Sequence, residues 1–290
     1  MIYLILHVVL LSGFGLFLKD AENRGHRLDP IGLVNYATAF ILSCVLAYRG
    51  KSFAFTPLTL TFGLVNGISY AFGFVLVVTG MRLTGIVVTT AVIRLSMVIP
   101  ILISVIVWHE RPNLWQTLGI LIALGALPLL SMRAQPTEVT NRPAWKTSSK
   151  VGIIVVALLF LNAGMGRLAM KGVNEMCPVD QKPMYLVSLF LVTTVPYLLV
   201  CLHKRQSPTG WEIGYGVLIG VCNVSGSGMF LAALDHLDAL IAFPVSGSGG
   251  MLFTATIGIL ALGERLNKRL TIGVALTVVA LILVNLDFGQ

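Results

Sequence analysis

The sequence predicts an all-α integral membrane protein whose ten transmembrane helices form two inverted five-helix repeats, and three observations predict it. Of its 290 residues 56% are AVILMFWYC and only 11% are charged, with a mean hydropathy of +0.89, whereas soluble domains carry about 25% charged residues. Ten apolar runs follow one another, each close to the length that crosses a hydrocarbon core. Self-similarity then relates the first five runs to the last five.

The runs fall at 1–18, 30–48, 58–81, 85–108, 114–132, 151–173, 184–202, 212–234, 240–262 and 270–286. The first is nearly all apolar, with no positive stretch ahead of it and no small-residue cleavage site before Lys19, so it is read as a retained helix rather than a signal peptide. Short polar breaks separate the next runs: Lys19 to Asp29, Arg49 to Pro57, Arg82 to Thr84 and His109 to Asn113. The one long polar stretch, 133–150, is rich in Pro, Thr and Ser and divides the chain into a first half at 1–132 and a second at 151–290. Four cysteines, Cys44, Cys177, Cys201 and Cys222, have no metal or disulfide spacing. They read as small core residues.

Three matches recur in the same order and at nearly one offset. Gly13-Phe14-Gly15 returns as Gly164-Met165-Gly166, Gly63-Leu64-Val65-Asn66 as Gly220-Val221-Cys222-Asn223, and Glu110-Arg111 as Glu264-Arg265, each Glu-Arg followed eight residues on by a glycine. With five spans per half, the second half enters the membrane from the opposite side. That is the inverted-repeat architecture of many secondary transporters, with the substrate site near the midplane.

Two five-helix halves, each with a fourth helix running into Glu-Arg (Val107-Trp108-His109-Glu110-Arg111 and Ala261-Leu262-Gly263-Glu264-Arg265) and a fifth with an early Gly, resemble the EamA-type members of the drug/metabolite transporter superfamily. The first copy departs from the second by Trp-His before Glu-Arg and Pro112 after it. The resemblance covers nearly the whole chain and implies transport of small metabolites without naming one. It also implies both termini inside, whereas Lys and Arg concentrate in the loops after odd-numbered spans, which places the termini outside by the positive-inside rule.

An ionisable group in hydrocarbon costs roughly 2.5 to 3.5 kcal/mol on insertion scales, so one that remains there is a functional candidate. All twelve acids fall in loops or at span ends, which leaves no midplane carboxylate to carry protons. His7 in the first span is the nearest alternative, and a lone histidine there is read first as a hydrogen-bonded core residue. Arg94 stands ten residues into the fourth span, about 14 Å from one face. A planar guanidinium there suits a substrate carboxylate or phosphate; its alternative role is to bond carbonyls exposed near Pro100. Arg167, about 10 Å deeper in the sixth span, is read as snorkelling, with substrate contact as the alternative. Asn66, Ser69, Tyr70, Asn162, Asn223, Ser225, Ser227, Ser246 and Ser248 could complete a pocket, with interhelical hydrogen bonding as their other role. The repeat-related Asn66 and Asn223 are preferred.

The glycines after Pro244 serve helix packing or a locally broken helix. Glu110, Arg111, Glu264 and Arg265 are read as structural, a salt bridge or carbonyl cap at the turn. The expectation is a secondary transporter of the cell membrane (the inner membrane if the source is a Gram-negative bacterium), moving small polar, anionic metabolites by alternating access. It works as a monomer or homodimer among membrane lipids, without nucleic acid, metal or cofactor. A lipid-linked substrate flippase of the same fold is the first alternative. An intramembrane serine protease is the second, and it lacks the histidine such a site needs, since none follows His236.

Overall fold

A computed structural model describes residues 1–51, 53–84, 86–131, 150–262 and 268–284. Its helices are α1 (Ile2–Asn23), α2 (Leu28–Arg49), α3 (Pro57–Thr84), α4 (Ile86–Leu95), α5 (Val98–Val107), α6 (Leu114–Ser131), α7 (Lys150–Met176), α8 (Lys182–His203), α9 (Gly210–Leu234), α10 (Ala239–Leu262) and α11 (Lys268–Val284), with a 3-10 turn at Val179–Gln181. There is no strand among the described residues. Six stretches are long and apolar enough to cross a bilayer: Ile2–Asn23, Leu28–Arg49, Pro57–Thr84, Val151–Met176, Val179–His203 and Gly210–Leu234. The helices α4, α5, α6, α10 and α11 occupy the remaining expected spans. The expected linker, apart from Lys150, and the second Glu-Arg pair, Glu264 and Arg265, lie outside the described residues.

Helix ends follow local chemistry. The first helix runs past its apolar stretch to Asn23, and Gly25, at φ +77°, takes the left-handed conformation that turns the chain toward α2. Asp29 sits in the first turn of α2 and Arg49 in the last, each matched to the helix dipole. Thr209 and Glu212 close a capping box at the start of α9. Arg27 reinforces that box, donating from Nε to Glu212 Oε1 (2.9 Å) and from Nη2 to Oε2 (2.8 Å).

The fourth expected span is not one helix but two, because Pro100 has no N–H to offer the Ser96 carbonyl one turn earlier. The chain turns through Ser96 and Met97, with Ile99 N–H donating to Ser96 O in a tighter bond (3.1 Å), and α5 begins at Val98. By contrast α10, which carries Pro244 and the glycine run, is continuous over Ala239–Leu262. Of the two roles weighed for those glycines, close packing is the one observed at Gly247: a Cβ there would stand 2.5 Å from Met97 Cε.

By packing the chain divides into two units, Met1–Ala71 with Ala169–Leu237, and Phe72–Leu168 with Asp238–Gln290. Each unit draws on both halves of the sequence. In the first unit α2 packs on α8 and α9, and α1 packs on α9. Its core joins Ala39, Val173, Tyr185, Leu189, Phe190, Val224 and Leu231. The α3–α8 contact there is close: a Cβ on Gly63 would fall onto the Ser188 hydroxyl and within 3.1 Å of the Tyr185 carbonyl. Because backbone cannot yield as a flexible side chain can, Gly63→Val is expected to destabilise the fold by about 1–3 kcal/mol. The loss reads out as a lower Tm of the purified protein. In the second unit α6 packs on α11 and α10, α4 on α6, and α5 on α10.

Candidate functional site

In the first unit a cavity of about 200 Å3 opens among α1, α2, α3, α7 and α9. Its lining includes His7, Phe14, Tyr36, Tyr70, Met170, Cys222, Asn223 and Ser227. Among the described residues no Asp, Glu, Lys or Arg lines it. His7 is buried, its Nδ1 lies 2.8 Å from the Gly226 carbonyl, and its ring packs against Phe230 at 4.7 Å between centroids. A carbonyl can only accept, so the proton of that bond stands on Nδ1. The hydrogen-bonded core role expected for His7 is the one its geometry shows, and the residue also forms part of the cavity wall.

Tyr70 and Asn223, two of the expected site residues, meet at this cavity. Asn223 Nδ2 donates to Asn35 Oδ1 across α9 and α2 at 3.2 Å. Asn66, one turn before Tyr70 on α3, is only 1% exposed and donates from Nδ2 to the Tyr185 hydroxyl at 2.5 Å. Its Oδ1 has no hydrogen-bond partner among the described residues. The preferred pair, Asn66 and Asn223, is thus split, one locked against Tyr185 and the other on the cavity wall. Sequence reasoning passed over Tyr36, Phe14, Met170 and Cys222. Only the run Asn35-Tyr36, polar in an otherwise apolar span, signalled that position.

Ser69, Ser225 and Ser227 also belong to the first unit, Ser227 on the cavity wall, whereas Arg94, Asn162, Arg167, Ser246 and Ser248 lie in the second. Arg94 is the penultimate residue of α4, partly buried. It makes no hydrogen bond or ion pair among the described residues. Arg167, from α7, reaches the same helix break: Nη1 donates to the Ile93 carbonyl at 2.9 Å and to the Ser96 hydroxyl. Ending α4 takes the Met97 N–H away from the Ile93 carbonyl, since it donates to Arg94 O instead (3.2 Å), and the carbonyl accepts from the Ser96 hydroxyl (2.7 Å) as well as from Arg167, a cation being a natural cap for such a carbonyl. The role expected as the alternative for Arg94 therefore falls to Arg167. Ser248 is fully buried and its hydroxyl donates to the Pro244 carbonyl of its own helix at 2.5 Å, while Ser246 is half-buried on α10. Asn162 lies on α7, its Nδ2 placed 3.3 Å from where a Cβ of Gly73 would stand.

Glu110 has a structural role that sequence did not show. Its carboxylate accepts the N–H groups of Ala239 and Leu240, each at 3.2 Å, and so caps the start of α10. His109, in the left-handed region at φ 56°, turns the chain to bring it there. A negative group at a helix N-terminus is favoured by the dipole as well as by the bonds. Glu110→Ala is expected to cost about 1–2 kcal/mol, and Glu110→Gln less, in thermal unfolding of the purified protein.

The model of the EamA-like transporter family matches residues 1–132 and 150–286. A protein of Haemophilus influenzae described as uncharacterized is 23% identical over 284 residues, covering 91% of this chain and 90% of its own. A solved crystal structure superposes with a TM-score of 0.76 at 13% identity, over 98% of this chain and 95% of its own. At that identity it bears on the fold alone.

Proposed function

Since the chain belongs to the EamA-like transporter family, we propose that this multi-pass membrane transporter of the drug/metabolite type carries a small polar metabolite bearing a carboxylate or phosphate. On this reading the chain crosses the cell membrane ten times as two inverted five-helix repeats and works by alternating access. The observation that carries the anionic cargo is Arg94, a guanidinium inside an apolar span that no side chain or carbonyl among the described residues satisfies. An uncompensated charge in a span is costly, and an anion is what removes the cost.

The break beside Arg94 supports the same reading. The α5 N-terminus begins there, and half-helix N-termini in transporters face anionic groups. Arg167 has already bonded the carbonyl that the break exposes, so Arg94 is the cation left for a substrate. Thermal unfolding of the purified protein against amino acids, nucleotides and phosphorylated sugars tests this, since a ligand of the folded state raises Tm. A carboxylate or phosphate raises it and the corresponding amide or dephosphorylated compound does not; equal shifts, or none across the panel, count against the reading.

A further inference from the structure

We infer that the cavity of the first unit is a binding site for an uncharged, largely apolar group of single-ring size that carries one hydrogen-bonding substituent. This goes beyond the anionic reading and does not depend on Arg94. The size argument is direct: the cavity holds about 200 Å3, and a cavity of roughly 150 Å3 accommodates benzene. The walls supply the chemistry. Phe14, Tyr36 and Tyr70 offer ring faces and Met170 a polarizable thioether, which favour a ring by stacking and by sulfur–aromatic contact.

Charge is selected against. Without an ionised side chain in the lining, a charged group entering it would lose its hydration without compensation. The His7 Nδ1 proton is already engaged with the Gly226 carbonyl. A plain acyl chain fits less well, because two polar groups of the lining remain uncommitted among the described residues. Asn223 uses Nδ2 on Asn35, which leaves Oδ1 to accept, and the Ser227 hydroxyl bonds neither its own helix nor a neighbour among those residues. A ring with one polar substituent satisfies them, and a hydrocarbon tail would bury them unpaired.

Maleimide labelling of the purified protein, read at each cysteine by mass spectrometry, tests the inference with benzamide as probe and acetamide as its ring-less control. Saturating benzamide is expected to slow modification of Cys222, which lines the cavity, by about tenfold, while acetamide leaves it unchanged. Cys44, on α2 and not in the lining, keeps its rate throughout. A Cys222 rate that benzamide leaves unchanged, or slowing of equal size at Cys44, overturns the inference.

Should Cys222 resist labelling, thermal unfolding decides instead: benzamide raises Tm above the acetamide value in the wild type and not in Cys222→Phe, whose ring fills the space. Tyr70→Leu, which thins a wall instead of filling the cavity, reduces the same difference. Benzamide shifts that persist in whichever of the two variants folds, or that never exceed those of acetamide, overturn it. Arg94→Gln leaves the benzamide effect intact, so a failure of the anionic reading and a failure of this one appear in different experiments.

Discussion

Arg94→Gln, reconstituted into liposomes, is expected to lose transport of the anionic substrate by about a hundredfold while inserting and unfolding as the wild type does. The magnitude follows from charge-assisted hydrogen bonds, which are roughly twice as strong as neutral ones, and from the loss of two of them when a fork-shaped guanidinium becomes an amide. The unchanged stability follows from the structure. Arg94 holds no hydrogen bond and no ion pair among the described residues, so its removal orphans no partner. Taking a charge out of an apolar span relieves a cost, and Tm should hold or rise.

That separates binding from scaffolding. A structural arginine would lower Tm when replaced, as Arg167 should, because its loss removes the charged donor to the Ile93 carbonyl and the Ser96 hydroxyl and leaves them only their bond to each other. Arg94→Lys keeps the charge but not the planar fork and is expected to recover only part of the activity. Uptake kinetics equal to wild type in Arg94→Gln, or a Tm well below it, would remove Arg94 from the site.

The membrane character and helix positions were legible because an apolar run of a given length has few alternatives in a bilayer. The pairings were not. Pro100 announced a disturbance, but which side chain would reach the freed carbonyl depended on the approach of α7 to α4, and Arg167 lies 74 residues from Ile93. In the same way Glu110 looked like a device for its own turn, since sequence shows only its neighbours. Its partners Ala239 and Leu240 lie at the start of another helix. Asn66 and Asn223 were matched by a recurring sequence motif, yet one packs against Tyr185 and the other lines a cavity, because a matching motif does not fix a residue's neighbours. The cavity itself could not be read. It is set by the gap among five helices, and no periodicity of any one of them encodes it.

Lys182→Met is expected to lower the stability of the fold by about 2–3 kcal/mol, a loss that a second substitution partly reverses. Lys182 is the first residue of α8, the end where the helix dipole disfavours a cation, and it is only 7% exposed. Its Nζ resolves the conflict by crossing to α9. It pairs with Asp235, donates to Asn174 Oδ1 at 2.6 Å and to the Leu231 carbonyl at 3.4 Å, while Asn174 Nδ2 donates to the Leu234 carbonyl at 3.0 Å. One ammonium thus ties the ends of α7, α8 and α9 together and faces the negative end of α9. Sequence reading placed Asp235 among the loop acids and gave Lys182 no role, since neither lies inside a predicted apolar run.

Breaking a buried ion pair from one side costs about 3–5 kcal/mol. The Asp235 side chain is 25% exposed, and water recovers part of that cost for the abandoned carboxylate, hence the lower figure. Asp235→Asn in the Lys182→Met background removes the orphaned charge and should return about 1 kcal/mol, a coupling that thermal unfolding of the four proteins of the cycle measures. Additive losses would mean that the two side chains stabilise the fold independently, and a fully stable Lys182→Met would mean that the packing of α9, not the ammonium, holds its end. Since α9 also carries Cys222, Asn223 and Ser227 on the cavity wall, a loosened Lys182→Met is further expected to weaken the benzamide protection of Cys222, and the second substitution to restore it in parallel with Tm.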